Sequence, residues 1–276
     1  MDRRDKHLKG VRLVVADRIS TSGVDENAAE EKTCVVEEAP VTIAVEGLDS
    51  YTLLCTPTDM RALAVGFLFT EFVIGSMADI ATLEECEDDS NTIRVRLAGK
   101  TPPSDEQGRN LLIVSSCGAC GSEDLQRRID ALPRARDTLK IDAGLLRSVY
   151  DSLRKLQSLF EACGATHAAA VFDKSGKILS CAEDVGRHNA LDKAIGKCLL
   201  AGVRTDGRGA AVTSRLSLEM VSKCARAGIE LVAAVSAPTS MAIEVADRCN
   251  ITLCAFVRET RATAFTHPGR LAGARK

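Results

Sequence analysis

The chain has 276 residues, 45% of them hydrophobic and 27% charged, with a net charge of −2. That composition excludes a disordered chain and allows one large domain or two smaller ones. Aromatic residues are 3% and Trp is absent, which argues against a base-stacking surface for single-stranded nucleic acid, and the balanced charge argues against a polyanion binder.

The first residues, MDRRDKHLKGVRL, lack the apolar core of a secretion signal, and no run approaches the ~18 apolar residues of a membrane span. The expected location is a reducing cytoplasm, with no membrane contact. Paired cysteines there are more often catalytic or metal-binding than structural.

Residues 1–33 are polar and read as a partly ordered tail. VTIAVEGLDSYTLLC (41–55) predicts two strands around a Gly-Leu-Asp turn. TPTDMRALAVGFLFTEFVIG (56–75) predicts a helix. Thr56 would cap it, Pro57 would open it, and Asp59 would sit in its first turn. Met60, Leu63, Ala64, Phe67 and Leu68 share one face of that helix. NTIRVRLAG (91–99) alternates as a half-buried strand does, and GKTPPSDEQGRN (99–110) reads as a loop. LLIVSS (111–116) is strand-like and leads into a Gly/Ser-rich loop holding Cys117 and Cys120, before a helix near Ser122. Pro133 and the following RARD suggest a boundary, giving a smaller α+β domain over 34–136 and a second domain over 137–276.

In the second half, Leu146, Val149, Leu153, Leu156 and Phe160 are spaced as one amphipathic helix, closed by Gly164. HAAAVFD and ILSCAED around KSGK form a hairpin. There follow a helix near 187–201, strand AAVTS, helix 217–227 ended by Gly228, strand IELVAAVS, helix 239–249 ended by Asn250, and strand ITLCAFVR. This alternation predicts an α/β fold with a mainly parallel sheet between helices.

Eleven cysteines are present. Cys163, Cys181, Cys198, Cys224, Cys249 and Cys254 stand singly in apolar runs and read as small buried hydrophobes. Cys117 and Cys120 form the one Cys-x-x-Cys pair. A structural zinc site needs four ligands, and the four histidines (His7, His167, His188, His267) offer no second pair at ligand spacing. The H-x-E and P-C-x-x-C of zinc deaminases are also missing. A strand, a small-residue loop and a helix start would instead lower a thiol pKa and leave the sulfurs accessible. Thiol chemistry, zinc and two inert loop cysteines all remain open on this ground.

EDVGRHNALDK (183–193) crowds Glu183, Asp184, Arg187, His188, Asn189, Asp192 and Lys193 around a helix start. It reads equally as an anion-receiving helix terminus and as a solvated one capped by Asp184. Ser214, Arg215 and Ser217, then SAPTSMA (236–242), then FVRETR (256–261), follow apolar strands, where open α/β sheets bind ligands. Such hydroxyls and arginines would suit phosphates. They are also ordinary strand-end residues. Neither G-x-G-x-x-G nor a P-loop occurs.

CTPTDMRALAVGFLFTEFVI, SSCGACG, EDVGRHNALDKAIG, TSRLSLEMVSKCARAGIELVAAVSAPTSMAIEVA and ITLCAFVR, in this order, resemble the FdhD family of formate dehydrogenase accessory sulfurtransferases. The likeness runs from about residue 35 to 270. It departs at Phe72, where such proteins often have Gly.

The resemblance implies that a cysteine desulfurase supplies sulfur as a persulfide. The protein would then pass it to the molybdenum or tungsten bis-molybdopterin guanine dinucleotide cofactor destined for the formate dehydrogenase catalytic subunit. Cys117 matches the persulfide carrier and Cys120 would assist. Phe256, Val257, Arg258, Glu259, Thr260 and Arg261 match a cofactor-binding segment. Arg187, Arg215, Arg258 and Arg261 could then pair phosphates, with His188 as hydrogen-bond partner or proton donor. The resemblance further implies a homodimer. It also implies a C-terminal three-layer α/β/α domain similar to the cytidine-deaminase fold, without that enzyme's zinc ligands, so no metal and no nucleic acid are expected. Two other readings are a non-catalytic cofactor-binding chaperone of formate dehydrogenase and a thiol-disulfide oxidoreductase.

Overall fold

A computed structural model describes residues 8–21, 29–48, 50–86, 89, 91–99 and 122–273. Strands β1 (Val11–Arg18) and β2 (Ala29–Val36) pair antiparallel. The stretch expected as a partly ordered tail therefore contributes a full strand. β3 (Ala39–Val45) and β4 (Ser50–Cys55) form the expected hairpin. Helix α1 (Met60–Thr70) follows, then β5 (Ile80–Glu85) and β6 (Thr92–Leu97). The four strands lie in the order β4-β3-β6-β5, with β3 and β6 parallel.

Period-2 alternation sends Val41, Ile43, Val45, Ile93 and Val95 inward to pack with Leu63, Phe67 and Leu68 of α1. Met60 and every residue from Ala62 to Thr70 are buried, so α1 is sandwiched on both sides rather than amphipathic. Thr56 does not cap it. Asp59 is the N-cap residue, at φ 52, and makes no side-chain cap bond. The Thr56 hydroxyl instead accepts the N–H of Val185 at 3.1 Å, and its own N–H donates to Asp184 at 3.1 Å.

Helix α2 (Ser122–Asp130) leads to the short strand β7 (Ile141–Asp142) and to helices α3 (Leu145–Lys155) and α4 (Ser158–Cys163). The single helix expected from the 146–160 spacing is thus broken. Glu183 accepts the N–H groups of Leu159 and Phe160 at 2.9 and 2.8 Å and caps a new helix there. Gly164 closes α4 at φ 69, as expected.

The main sheet holds β8 (His167–Phe172), β9 (Ile178–Asp184), β10 (Gly209–Val212), β11 (Leu231–Ala234), β12 (Thr252–Ala255) and β13 (Thr263–Ala264). Helices α5 (Arg187–Leu200), α6 (Leu218–Arg226) and α7 (Ser240–Arg248) make the crossovers, and β14 (Leu271–Ala272) pairs with β7. The strand order is β13-β12-β11-β10-β8-β9. β10, β11 and β12 are parallel. β8 runs against both β9 and β10, and β13 against β12, so the sheet is mixed rather than mainly parallel. The short KSGK turn permits only an antiparallel pair, while each helix crossover yields a parallel one.

One face of the sheet (Ala169, Val171, Ala210, Val212, Val232, Leu253) packs on α5, α6 and α7. The other (Ala168, Ala170, Phe172, Ala211, Leu231, Cys254) packs on α3 and the β7/β14 pair. The expected three layers are present, in an arrangement compatible with a cytidine-deaminase-like fold. Cys198, Cys224, Cys249 and Cys254 are buried, whereas Cys163 and Cys181 are half-buried. Among the described residues no helix is long and apolar enough to cross a membrane.

The two halves meet where α1 crosses α5. A Cβ on Gly66 would stand 1.8 Å from the carbonyl oxygen of Asp192, and one on Gly196 would stand 1.9 Å from that of Ala62. The helix backbones therefore touch, and only glycine fits. Beside the crossing, fully buried Asp184 and Lys193 pair at 2.5 Å, and Lys193 also donates to the Thr56 carbonyl at 2.8 Å. Lys223 of α6 pairs with Asp192 at 2.8 Å and Glu71 at 2.9 Å. Burial alone would pull the Lys223 pKa down, but those carboxylates raise it and keep it charged. Phe72, where the resemblance leads us to expect glycine, takes φ 64, and Arg226 lies 4.3 Å from its ring centroid.

Gly66→Ala and Gly196→Ala should each cost about 3 kcal/mol or more in chemical denaturation, because backbone cannot yield to a methyl group. At position 72 the left-handed backbone favours glycine. Phe72→Gly should therefore be more stable than Phe72→Ala by about 1 kcal/mol, read as the difference in denaturation midpoint times slope.

Candidate functional site

β9, β10, β11 and β12 all run in one direction, so their carboxyl ends share one edge of the sheet. Onto that edge fall Val185–His188, Thr213–Ser217, Val235–Thr239 and Phe256–Arg261. The helices α5, α6 and α7 begin there and present their positive ends. The loops are tied to one another by main-chain bonds. Leu216 N–H donates to Ala237 at 3.1 Å, Thr239 to Leu216 at 2.9 Å, and Phe256 to Ser236 at 3.2 Å. The Arg258 guanidinium bridges the carbonyls of Val235 (2.5 Å) and Val257 (2.9 Å).

The predicted binding residues divide into two groups along this edge. Arg187 and His188 follow β9, while the FVRETR segment follows β12. Four strand spacings separate these strands, roughly 19 Å at ~4.8 Å each. Arg215 lies between them, after β10, and is exposed. Arg258, Glu259, Thr260 and Arg261 are exposed too. Phe256 is 38% exposed and holds φ 53, a backbone state disfavoured for a bulky residue and enriched at functional sites. Its ring packs on that of Phe265 at 6.2 Å. The Val257 side chain is buried in the core under the sheet, so only its main chain can face a ligand.

At the other end, Arg187 Nε and His188 Nε2 are buried and have no hydrogen-bond partner among the described residues. The nearest carboxylate to His188 is Glu219, at 4.0 Å. Burial, then the charges of Arg187 and Lys223, push the His188 pKa down to about 4. The imidazole is neutral near pH 7, which suits a hydrogen-bonding role and not that of a proton donor. His167, expected above to have no zinc partner and given no other role, opens β8 opposite Asp184 on the same edge. Burial and Arg187 lower its pKa as well. Only the antiparallel register of β8 brings it there.

Most of the charged block 183–193 serves structure. Glu183 caps α4 and accepts the Thr166 hydroxyl at 2.8 Å. Asp184 is fully buried rather than a solvated cap, and accepts Gly186 N–H at 2.7 Å and Asn189 Nδ2 at 3.1 Å. Asn189 also donates to the Leu54 carbonyl at 2.8 Å. Asp192 accepts Thr70 at 2.7 Å and Lys223 at 2.8 Å. Arg187 and His188 take no such part among the described residues.

Cys117 and Cys120 lie outside the described residues. Burial pushes the thiols of Cys55 and Cys224 up to about 12, and those of Cys181 and Cys254 up to about 11. These four are poor thiolates at neutral pH and poor nucleophiles. Among the described residues no group of His, Cys, Asp and Glu converges as metal ligands do.

A search of known proteins meets this architecture repeatedly. A Desulfotalea psychrophila crystal structure, provisionally described as a formate dehydrogenase accessory protein, superposes with a TM-score of 0.75 at 24% identity, covering 95% of this chain and 99% of that one. That likeness establishes the shared fold. The sulfur carrier protein FdhD of Bordetella parapertussis is 41% identical over 89% of this chain and 90% of its own length. The protein of the same name from Saccharolobus solfataricus is 35% identical over 95% of this chain and 99% of its own. The FdhD/NarQ family model matches residues 36–272. With nearly the whole chain matched, from β3 to β14, the protein belongs to the FdhD/NarQ family.

Proposed function

We propose that this protein is a sulfur carrier in which Cys117 bears the sulfur. The observation that supports it best is the identity of 41% and 35% to proteins named sulfur carrier, over 89% and 95% of the chain. The Cys-x-x-Cys pair lies inside the matched span 36–272. The raised pKa values of Cys55, Cys181, Cys224 and Cys254 make those four poor rivals for the carrier role.

The donor in this reading is a cysteine desulfurase persulfide. The Cys117 thiolate attacks its terminal sulfur, the donor S–S bond breaks, and the donor cysteine leaves as thiolate. Cys117 then carries one sulfane sulfur. In the onward transfer the acceptor attacks the outer sulfur, the Cys117 S–S bond breaks and Cys117 leaves as thiolate. Cys120 assists by relay, its thiolate taking the outer sulfur in the same exchange. The acceptor is the bis-molybdopterin guanine dinucleotide form of the molybdenum or tungsten cofactor, handled as substrate on the way to the formate dehydrogenase catalytic subunit.

The sheet edge suits such a substrate in two respects. It carries arginines without carboxylate partners among the described residues (Arg187, Arg215, Arg258, Arg261), which match phosphates. Its two groups of candidate binding residues are roughly 19 Å apart, as an elongated ligand with two nucleotide arms requires. Buried, unpartnered Arg187 Nε and neutral His188 offer hydrogen bonds at one end. Phe256 and Phe265 offer an aromatic face at the other. A homodimer is part of the same reading.

Incubation with a cysteine desulfurase and cysteine should add about 32 Da, one sulfur atom, to the intact protein, reversibly by reductant. Cys117→Ala should abolish the gain and the activation of formate dehydrogenase. An unchanged gain, or full activation by Cys117→Ala, would instead favour a non-catalytic cofactor chaperone. Arg215→Met and Arg258→Met should each weaken guanine-nucleotide binding by about tenfold in calorimetric titration.

A further inference from the structure

A second basic recess lies at the opposite edge of the main sheet, away from every residue assigned above. It has a volume of about 370 Å³ and is lined by Thr138, Leu139, Lys174, Arg204, Asp206, Gly207 and Arg208. Three segments build it: Thr138 and Leu139 ahead of β7, the turn after β8, and the loop that enters β10. The register places the last two together, since Phe172 stands opposite Gly209.

The carboxylates around this recess are already engaged. Asp206 is held by Arg204 through two bonds, 2.8 and 2.5 Å, and faces Arg136 at 3.6 Å. Asp173 accepts Ser175 N–H, the Ser175 hydroxyl and Lys177 N–H at 2.8, 2.6 and 3.2 Å. Glu230 accepts Thr138 and Leu139 main-chain N–H, both at 2.7 Å, and the Thr138 hydroxyl at 2.6 Å.

Two cations on the wall are left over. Neither Lys174 nor Arg208 has a carboxylate within 4 Å among the described residues, although the Asp173 carboxyl, held below the usual range chiefly by the Ser175 hydroxyl, is near enough to feel the charge of Arg208 as well. The Nε of Arg208 is moreover buried without a hydrogen-bond partner among them. Buried donors are rarely left unsatisfied, and one that is calls for a partner from outside the chain. Gly207, at φ +70, keeps the recess open, because a Cβ there would come within 3.1 Å of the Thr138 hydroxyl.

We propose that this recess is a second oxyanion site, one that takes a phosphate group through Lys174 and Arg208. A guanidinium and an ammonium with no carboxylate in direct contact match a phosphate's charge and acceptor oxygens. The volume admits free phosphate or the phosphorylated end of a small metabolite. The site stands apart from the proposed sulfur-transfer edge and does not depend on that reading.

Calorimetric titration of the whole protein with inorganic phosphate and, separately, with ribose 5-phosphate tests it. Saturable binding in the millimolar range or tighter is expected, with the tighter probe identifying the source as free phosphate or phosphate monoester. Exposed Lys174→Gln should weaken it severalfold, and Lys174→Gln with Arg208→Gln at least tenfold, with circular dichroism confirming the fold. Arg94→Met, an exposed change on β6 of the first sheet, should leave it unchanged. Absence of saturable binding of both probes, binding untouched by the double variant, or binding lost in Arg94→Met would each overturn the proposal.

Discussion

Gly66 and Gly196 let α1 and α5 touch main chain to main chain, and the position of every other element follows from that crossing. With no side chains between them, the helices come close enough for Thr56 and Leu54 to bond the start of α5 directly. Asp184 and Lys193 are sealed behind the crossing, and Lys223 reaches across to Asp192 and Glu71. Buried ion pairs of this kind add little net stability but penalise any other alignment severely, since a slipped helix would strand a charge in the core. The crossing is thus held by shape at the glycines and by charge on either side.

That arrangement separates charges by task. Carboxylates near the crossing are matched internally, while Arg187, Arg215, Arg258 and Arg261 at the carboxyl edge of the sheet have no carboxylate within 4 Å among the described residues. The separation is sharpest in the stretch 183–193. Five of its polar residues face inward. Asp184, Asn189, Asp192 and Lys193 bond across to the first half, and Glu183 caps α4. Arg187 Nε and His188 Nε2, on the first turn of α5, have no hydrogen-bond partner among the described residues. Lodging both sets in adjacent residues couples the geometry of the edge to the integrity of the interior.

Local chemistry was the part of this molecule that its sequence disclosed. The β3/β4 and β8/β9 hairpins follow from alternation and turn residues. Gly164, Gly228 and Asn250 end helices by the left-handed conformations they adopt, φ 69, 67 and 56. Features set by distant partners were hidden. Thr56 looked like a helix cap because its true partners, Asp184 and Val185, lie 128 and 129 residues away. The break between α3 and α4 depends on Glu183, more than a turn of any local window away. Three of the eight residues of β1 are charged, and its place comes from pairing with the distant β2 and from packing beside α4. His167 gave no signal at all, since its place on the site edge comes from sheet register. The block of charges at 183–193 was visible, but whether each one faces water or the core is a tertiary property that composition does not carry.

The same crossing has a bearing on synthesis. α1 is apolar on all sides, and its covering helix ends 130 residues later, at Leu200 of α5. At ~5–20 residues per second, the ribosome leaves α1 without its cover for on the order of ten seconds. During that interval the first sheet shields one flank, and the other stays open to water and to neighbouring chains. Long-range closures of this sort also form slowly once all residues are available. A nascent chain of this design has a built-in window of vulnerability to aggregation, and the rate at which α5 arrives sets its length.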